Sequence, residues 1–374
     1  MKIAIIDTAF TGHHLEYIYG LSSYIRDQKS SICFDLFCDS KIFEYVEDNN
    51  LEPISNIENL KIYSNFLDQI KGGRISRYRT AYKHIKTIKN YDKVIFLDIN
   101  PYLFILSIYA IIKTPKFLFS GIYFNPFLAE KKSNIDTWMR LFILKNISIG
   151  FNRSYVFILN DKKAPEILNN LLSTKMFKML EDPIPSFFYK QSKNNNFDQP
   201  KDNLIFTMLG NLHERKGVFQ FLKAIESSKS EDKFVFAGKV KSTELERVQQ
   251  HIKRLIAKGF NIELKNEFLS IKKFTQYLDY TDVVVIPYLS KGASSGILGH
   301  AAYRKKPLIA PSKGILSEII RKYELGITIN PYDIKNFACC LNDGSQVIKA
   351  SNVEKMKKYS EINSYKIFYE KLFE

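Results

Sequence analysis

The chain has 374 residues, of which 45% are hydrophobic and 25% charged, and its formal net charge is +16. This length allows two domains of ordinary size, and the composition excludes a disordered chain. The excess of Lys and Arg indicates an anionic partner, such as a phosphorylated substrate or anionic lipid, or else a general bias toward lysine. No zinc-finger, basic-zipper or RNA-recognition pattern occurs, so no nucleic-acid partner is expected.

Cysteine usage and the start of the chain favour a reduced, cytoplasmic setting. The 4 cysteines form no C-x-x-C pair with a partner, so neither zinc nor a disulfide framework is expected. Met1 leads directly into an apolar strand, without a secretory signal. The most apolar run, Tyr102 to Ile112, is shorter than the roughly 20 residues that span a bilayer, and it is predicted to be a buried helix.

Strands and helices alternate along the first half of the chain. The run Met1 to Asp7 is predicted to be a strand, followed by a loop with Gly12 and a helix from Leu15 to Ile25. Further strands are predicted at Ile32–Cys38, Lys93–Asp98, Lys116–Phe119 and Ser154–Leu159. This order predicts a doubly wound parallel sheet, which binds ligands in the loops after its strands.

The segment from Lys71 to Lys93 is the most basic part of the chain, and Asp92 is its only acid. Tyr78, Tyr82 and Ile85 form an apolar stripe beside the cations, which predicts a helix. Such a helix is either an ordinary solvated face or a surface that contacts anionic lipid headgroups or a lipid-linked phosphate. The amphipathic run Trp138 to Lys145 is a second candidate for membrane contact.

Residues 190–203 are polar and Asn-rich, which predicts a linker between two α/β domains. Beyond it, strands are predicted at Leu204–Leu209, Lys233–Ala237, Asn261–Leu264, Asp282–Pro287, Pro307–Ala310 and Gly326–Ile329. The resulting domains are 1–189 and 204–354. A last helix, Lys355 to Phe373, belongs to a terminal segment, 355–374, expected to pack back on the first domain.

The stretch Ile286 to Pro311 combines a strand end, a Gly/Ser turn and a helix start. Ser294, Ser295 and Gly296 allow close approach of the backbone and add hydroxyl donors. The N–H groups of the first helical turn and the helix dipole favour a phosphate at this position. The alternative is an ordinary strand-to-helix connection that needs small residues for packing.

Four stretches of the chain occur in a characteristic order. They are LEDPIP, GNLHERKGVFQFLKAI, NEFLSIKKFTQYLDYTDVVVIP and SSGILGHAAYRKKPLIAPSKGILSEIIRKYELGITI. Together they resemble the GT-B glycosyltransferases of the large retaining family 4, in which LEDPIP corresponds to the interdomain turn. The resemblance covers most of residues 200 to 342. It implies two Rossmann-like domains that face a central cleft, with a nucleotide-diphospho-sugar in the second domain and the acceptor against the first. It also implies that neither a metal nor another cofactor takes part.

The resemblance assigns donor binding to the loops and helix starts. These residues are Gly12, Gly210, Asn211, Arg215, Lys216, Gly238, Ser294, Ser295, Gly296, Ile297 and His300. The family's two glutamates are absent, because Gly292 and His300 occupy their places. His300 is therefore expected either to bond the ribose or to pack within its helix. The family often has an arginine after the first glycine of this loop, but Asn211 follows Gly210 here, and Arg215 is a candidate to substitute for it.

The catalytic candidates are His14, His13, Arg215, Lys216 and Asp98. His14, or His13 beside it, could bond the sugar, act as a base or cap its own helix, and Asp98 is a second candidate base. Arg215 and Lys216 could stabilise a diphosphate leaving group.

The expected function is a hexosyltransferase that acts on a glycan or lipid-linked acceptor in bacterial surface polysaccharide synthesis, such as lipopolysaccharide or capsule. The expected location is the cytoplasm, with contact to the inner face of the membrane. The alternatives are a nucleotide-sugar epimerase of the same fold and an inactive sugar- or lipid-binding scaffold, which nucleotide release would distinguish from a transferase.

Overall fold

The computed structural model describes residues 1–9, 14–28, 32–112, 117–124, 135–189, 203–290 and 295–374. Contacts divide the chain into two compact units, of which unit 1 comprises Met1–Asp182 with Tyr365–Glu374 and unit 2 comprises Pro183–Ser364. The division after Asp182 lies upstream of the expected boundary at residue 189. Most of the predicted linker, residues 190–202, lies outside the described residues.

Unit 1 is built on one parallel sheet with helices between its strands. Its elements are β1 (Lys2–Asp7), α1 (His14–Asp27), β2 (Cys33–Cys38), α2 (Lys41–Asp48), β3 (Leu60–Ser64), α3 (Arg74–Ile88), β4 (Lys93–Phe96), α4 (Leu103–Ile112), β5 (Leu118–Ile122), α5 (Ile135–Gly150), β6 (Tyr155–Leu159), α6 (Lys163–Leu172) and β7 (Phe177–Leu180). The strand order is β3-β2-β1-β4-β5-β6-β7. β1 is therefore central, and Ile5 lies between Leu36 of β2 and Ile95 of β4.

Unit 2 repeats this architecture. Its elements are β8 (Ile205–Leu209), α7 (Val218–Ser227), β9 (Lys233–Ala237), α8 (Leu245–Ala257), β10 (Asn261–Lys265), α9 (Ile271–Tyr280), β11 (Val283–Val285), α10 (Gly296–Tyr303), β12 (Leu308–Pro311), α11 (Ile315–Tyr323), β13 (Gly326–Ile329), α12 (Ile334–Asn342), α13 (Gly344–Lys349) and α14 (Val353–Ile362). The parallel strands follow the order β10-β9-β8-β11-β12-β13. The predicted α/β class with two doubly wound parallel sheets is confirmed.

The strands of unit 2 are apolar on both faces because helices cover both sides of the sheet. Val283 and Val285 belong to one core cluster, whereas Val284 and Ile286 belong to the other. This separation follows from the period of two along a strand, which sends successive side chains to opposite faces.

The predicted helix Lys355–Phe373 is wrong as a single element, because the chain forms α14 and then α15 (Tyr365–Phe373). Between them, the carbonyl of Asn363 accepts a hydrogen bond from the N–H of Ile184, at 2.8 Å, instead of continuing the helix. α15 belongs to unit 1, where it packs against α1. The hydroxyl of Tyr369 donates to the carbonyl of Tyr17.

The predicted burial of the most apolar run is also wrong in part. α4 contacts the core through Ile105 and Leu106, which are 7% and 0% exposed. Ile111 and Ile112 at its end are 62% and 70% exposed. The sheet covers only one side of the helix, so its remaining apolar side chains stay at the surface.

We expect Leu372→Ala to destabilise the protein, because Leu372 is 0% exposed in the core of unit 1. Loss of a buried Leu side chain costs about 2–5 kcal/mol. Denaturant unfolding monitored by circular dichroism measures this cost. The control is Lys366→Ala on the same helix, whose side chain is 74% exposed and whose removal should change stability little. Equal stability of the two variants would contradict the assignment of α15 to the core.

Candidate functional site

The loops after β8, β9 and β11 come together at the carboxyl edge of the unit 2 sheet. Gly210 follows β8 with a φ of 86°, and Gly238 follows β9 with a φ of 146°. A Cβ atom on Gly238 would lie 1.7 Å from the carbonyl oxygen of Gly210, and one on Gly217 would lie 2.1 Å from that of Pro287. Only glycine fits at Gly217 and Gly238, because the backbones of neighbouring loops are in direct contact there.

Lys216 lies beside these glycines at the end of a short 3-10 helix, Glu214–Lys216. Its Nζ is 3.8 Å from the point that a Cβ on Gly210 would occupy, and 5.3 Å from the ring centroid of Tyr288. Among the residues that the structure describes, no carboxylate pairs with this ammonium group. A cation that no described carboxylate pairs with, beside glycine positions that bring no side chain of their own, is suited to bind an anionic group.

The N-terminus of α10 completes this edge. Ser295 precedes the helix in an extended conformation, and its Oγ is 3.0 Å from the hydroxyl of Tyr288. The Cδ1 atom of Ile297 lies 3.3 Å from the Cβ point of Gly210. The structure therefore brings the start of α10 close to Lys216 and Gly210. Tyr288 was not predicted as a site residue, although it ends the apolar strand pattern of the sequence.

Three other predicted donor residues have different surroundings. Arg215 and Asn211 are exposed, and the carbonyl of Arg215 accepts a hydrogen bond from the N–H of Leu289, at 2.9 Å. Ser294, with the preceding residues 291–293, lies outside the described residues. The roles of all three residues in donor binding stay predictions.

His300 is buried in an aromatic shell. Its Nδ1 lies 2.6 Å from the hydroxyl of Tyr189, and the ring of Phe274 meets it edge-on at 4.8 Å. The side chain is 6% exposed. These contacts correspond to the packing role that the sequence left open, whereas a ribose contact stays a prediction.

In unit 1, a histidine and a carboxylate form a pair at the carboxyl edge of β1. His14 begins α1, and its Nδ1 is 2.8 Å from Oδ2 of Asp7, which ends β1. Asp7 is 3% exposed. His14 was predicted as a site residue and Asp7 was not, although an acid at the end of the apolar run KIAIID was a usable signal. The other two predictions in this loop, Gly12 and His13, lie outside the described residues.

Asp98 follows β4, the neighbour of β1 in the sheet. Burial raises the pKa of Asp98 to about 6, and the negative charge of Asp7 adds to the rise. The N–H of Asn100 donates to its Oδ1 at 2.9 Å, and this bond and the nearby His14 act in the opposite direction. A carboxyl group with a pKa near neutrality can exchange protons, which suits a base or an acid.

A third titratable group of unit 1 is His84, which sequence reasoning did not identify. It lies on the inner side of α3, 1% exposed, and its Nδ1 is 2.9 Å from the hydroxyl of Tyr102. Burial lowers the pKa of His84 to about 4, so the ring stays neutral near pH 7. This pair stabilises the contact between α3 and the segment before α4.

Neither a metal site nor a membrane-spanning helix occurs among the described residues. No group of three or more His, Cys, Asp or Glu side chains is placed to hold a metal ion. None of the described helices combines the length and the apolar character needed to cross a bilayer.

Comparison with known proteins gives one family match. Residues 203–343 match the family described as "Glycosyl transferases group 1". No curated protein sequence matches the chain.

Solved structures match over the whole length. Alr3699/HepE of Anabaena in complex with UDP is 15% identical, with a TM-score of 0.66 over 100% of this chain and 98% of that one. WaaG, described as a glycosyltransferase involved in lipopolysaccharide biosynthesis, is 13% identical, with a TM-score of 0.63 over 99% and 98%. Sucrose-phosphate synthase from Thermosynechococcus elongatus is 13% identical, with a TM-score of 0.66 over 100% and 98%.

The raised pKa of Asp98 predicts a pH-dependent stability. The Asp98 carboxyl binds its proton more tightly in the native state than in the unfolded chain. The contribution of this group to the free energy of unfolding is therefore complete below about pH 4 and is lost as the pH rises through about 6. Asp98→Asn should remove this loss and make the protein about 1–3 kcal/mol more stable at pH 7 relative to the parent. Urea unfolding across this pH range measures the difference. The exposed Asp136→Asn should leave the parent's profile unchanged, and an unchanged profile in Asp98→Asn would refute the raised pKa.

Proposed function

We propose that this chain, which has the GT-B fold and whose residues 203–343 form a group 1 glycosyltransferase domain, transfers a hexose from a nucleotide-diphospho-sugar to an acceptor. The acceptor class is a glycan or a lipid-linked glycan of bacterial surface polysaccharide, such as lipopolysaccharide or capsule. The transfer retains configuration at the anomeric carbon and uses no metal. The observation that carries this proposal is the Lys216 ammonium, which lies close to Gly210 and near the start of α10 and pairs with no carboxylate of the described residues.

The reaction breaks the bond between the anomeric carbon and the diphosphate and forms one to the acceptor oxygen. Charge therefore develops on the diphosphate, and stabilisation of this charge lowers the barrier. Lys216 supplies a positive charge, and the N–H groups at the start of α10 supply donors and a favourable dipole. The acceptor proton leaves with the diphosphate oxygen on the same face, so the step balances without a separate base.

In unit 1, Asp7 orients His14. A ring that donates its Nδ1 proton to a carboxylate has its lone pair at Nε2, so it can accept a hydrogen bond from a sugar hydroxyl. His14 is therefore proposed as a residue that binds and orients sugar, with Asp7 as its positioning residue. Asp98, whose pKa is raised to about 6, is the proposed group for proton exchange beside it.

Similar structures support the choice of substrates. Alr3699/HepE of Anabaena was solved with UDP and with UDP-glucose, and WaaG is described as acting in lipopolysaccharide biosynthesis. On this basis we propose a UDP-hexose as the first donor to test. The proposed location of this protein is the inner face of the membrane, with its basic segment 71–93 on the anionic surface.

The nucleotide is identified by thermal unfolding with UDP, GDP, ADP, CMP and dTDP. A ligand that binds only the native state raises the melting temperature with concentration. We expect one diphosphate to do so, and its hexose derivatives should then release nucleoside diphosphate in the presence of acceptor. Absence of any shift would overturn the donor site. Binding without nucleotide release would favour a scaffold, and a changed sugar still attached to its nucleotide would favour an epimerase.

Lys216→Ala should weaken binding of that nucleoside diphosphate about tenfold to hundredfold, the range for a lost hydrogen bond to a charged group. The turnover should fall further because charge develops on the leaving group. Lys223→Ala on α7 is the matched control, since Lys223 is exposed and outside this edge. Isothermal titration and initial rates measure both effects, and parent-like affinity in Lys216→Ala would exclude Lys216 as a phosphate ligand.

A further inference from the structure

α3, α4 and α5 form one helical layer on the sheet of unit 1. α3 packs beside α4 and α4 beside α5, and all three contribute to the same core cluster. The sequence of α4, LFILSIYAII, contains no charged side chain around its whole circumference. A helix of this kind is normally covered on all sides, yet Ile111 and Ile112 are 62% and 70% exposed.

An apolar groove runs between α3 and α4, with a volume of about 390 Å³. Its lining is apolar or aromatic except for one guanidinium. The lining residues are Ile75, Tyr78, Arg79 and Tyr82 of α3 with Ile105, Ile108, Tyr109 and Ile112 of α4. Tyr78 stacks on Phe104 at 4.3 Å, which fixes the two helices at this groove. The groove has the shape and chemistry of a site for a hydrocarbon chain.

The charges around the groove favour an anionic partner. α3 has no acidic residue, and its cations are Arg74, Arg77, Arg79, Lys83 and Lys86. None of these five side chains forms an ion pair with another described residue. Arg79 itself lines the groove, so a positive charge stands beside the apolar surface. Apolar and cationic side chains in this combination match a lipid with an anionic headgroup.

α5 continues the apolar surface beyond α4. Its exposed apolar side chains include Ile135 at 85%, Trp138 at 73%, Phe142 at 63% and Ile149 at 67%. These residues recur at helical spacing, so they share the outer side of the helix. Trp is enriched where protein meets the interface of a bilayer.

We propose that the outer surface of α3, α4 and α5 docks on an anionic phospholipid bilayer, and that the groove between α3 and α4 takes up a lipid hydrocarbon chain. The headgroup phosphate then lies against Arg79 and the neighbouring cations of α3. The inference rests on the proposed function only for the location at the inner face of the membrane. Apolar contact and charge act together. Full binding is therefore not reached when high salt screens the charges, nor when the lipid is neutral.

Trp138 gives a direct readout, because the chain contains 1 tryptophan. We expect its emission to shift to the blue, and to be quenched by lipids brominated on the acyl chain, with vesicles of phosphatidylcholine containing about one-third phosphatidylglycerol. Vesicles of phosphatidylcholine alone should give a much smaller change. Unchanged emission with the anionic vesicles, together with failure to float with them, would overturn the proposal.

The contribution of the groove is tested with Ile75→Glu/Ile112→Glu, since both side chains are exposed, at 71% and 70%, and can be replaced without loss of core. We expect vesicle partitioning to fall at least about tenfold. Ile256→Glu/Ile348→Glu in unit 2 is the matched control, because it replaces two exposed isoleucines with the same charge change. Equal partitioning of the two variants would refute a role for the groove.

The cationic part is tested with Lys83→Glu/Lys86→Glu/Lys89→Glu, which should release the protein from anionic vesicles. Lys349→Glu/Lys357→Glu/Lys358→Glu in unit 2 changes the net charge equally at exposed lysines and should still bind. Release of both variants would show that only total charge matters and would overturn the assignment to α3.

Insertion into the groove is distinguished from headgroup contact with Ile112→Trp in a Trp138→Phe background. Bromines on the acyl chain should quench this tryptophan, and quenching only by headgroup-labelled lipid would reject the uptake of a chain. Sedimentation of the parent without lipid tests a different occupant. A dimer that Ile75→Glu/Ile112→Glu dissociates, together with no vesicle binding, would identify a contact between two copies and overturn the lipid proposal.

The docking surface and the proposed donor site can be tested independently of each other. Ile75 and Ile112 belong to unit 1, whereas Lys216 and α10 belong to unit 2. The groove variant should therefore keep the nucleotide-induced thermal shift of the parent. Absence of vesicle binding by the parent, with an intact nucleotide shift, refutes only the docking surface. An absent nucleotide shift in the parent, with intact vesicle binding, refutes only the donor site.

Discussion

The close contact between the backbones of Gly210 and Gly238 is the constraint on which the candidate donor site depends. With 1.7 Å between the Gly210 oxygen and a Cβ on Gly238, any larger residue would separate the loops after β8 and β9. The same loop carries Lys216, and Gly217 fixes its end against Pro287. The position of the ammonium group is therefore a consequence of backbone packing, and no carboxylate of the described residues pairs with it, so none of them neutralises its charge.

The two sheets share a topology but differ in the chemistry of their carboxyl edges. In unit 2 this edge has Lys216 and the start of α10, so its charge is positive. In unit 1 it has Asp7 and Asp98, with His14 between a buried carboxylate and the solvent. A cation suits a diphosphate, whereas carboxylates with a histidine suit sugar hydroxyls and proton exchange. The parallel fold supplies the location in both cases, and the side chains decide which ligand fits.

The sequence predicted the elements whose apolar pattern was strong, such as β6, β8, β9 and β13. It missed β3 and β7, because LKIYS and FKML are short and only partly buried at the sides of the sheet. The break after α14 was missed because the apolar pattern continues across it, and the hydrogen bond to Ile184 that ends the helix comes from far along the chain. Among site residues, Asp7 and Tyr288 each end an apolar strand pattern, but their roles follow from their three-dimensional neighbours, His14 and Ser295.

The predicted burial of α4 was wrong in part, because an apolar composition does not by itself place a helix in the core. A helix that is apolar around its circumference was expected in the core, but one sheet face can bury only one side of a helix that lies on it. The side chains of α4 that face α3 and α5 are partly covered. The remaining ones are exposed to solvent, and the free-energy cost of this exposure scales with their apolar area. Beside them, α3 has no acidic residue of its own, and its cations form no ion pair with another described residue. Exposed apolar area and an excess of positive charge are each unfavourable for folding alone, and the proposed anionic, partly hydrocarbon partner would relieve both.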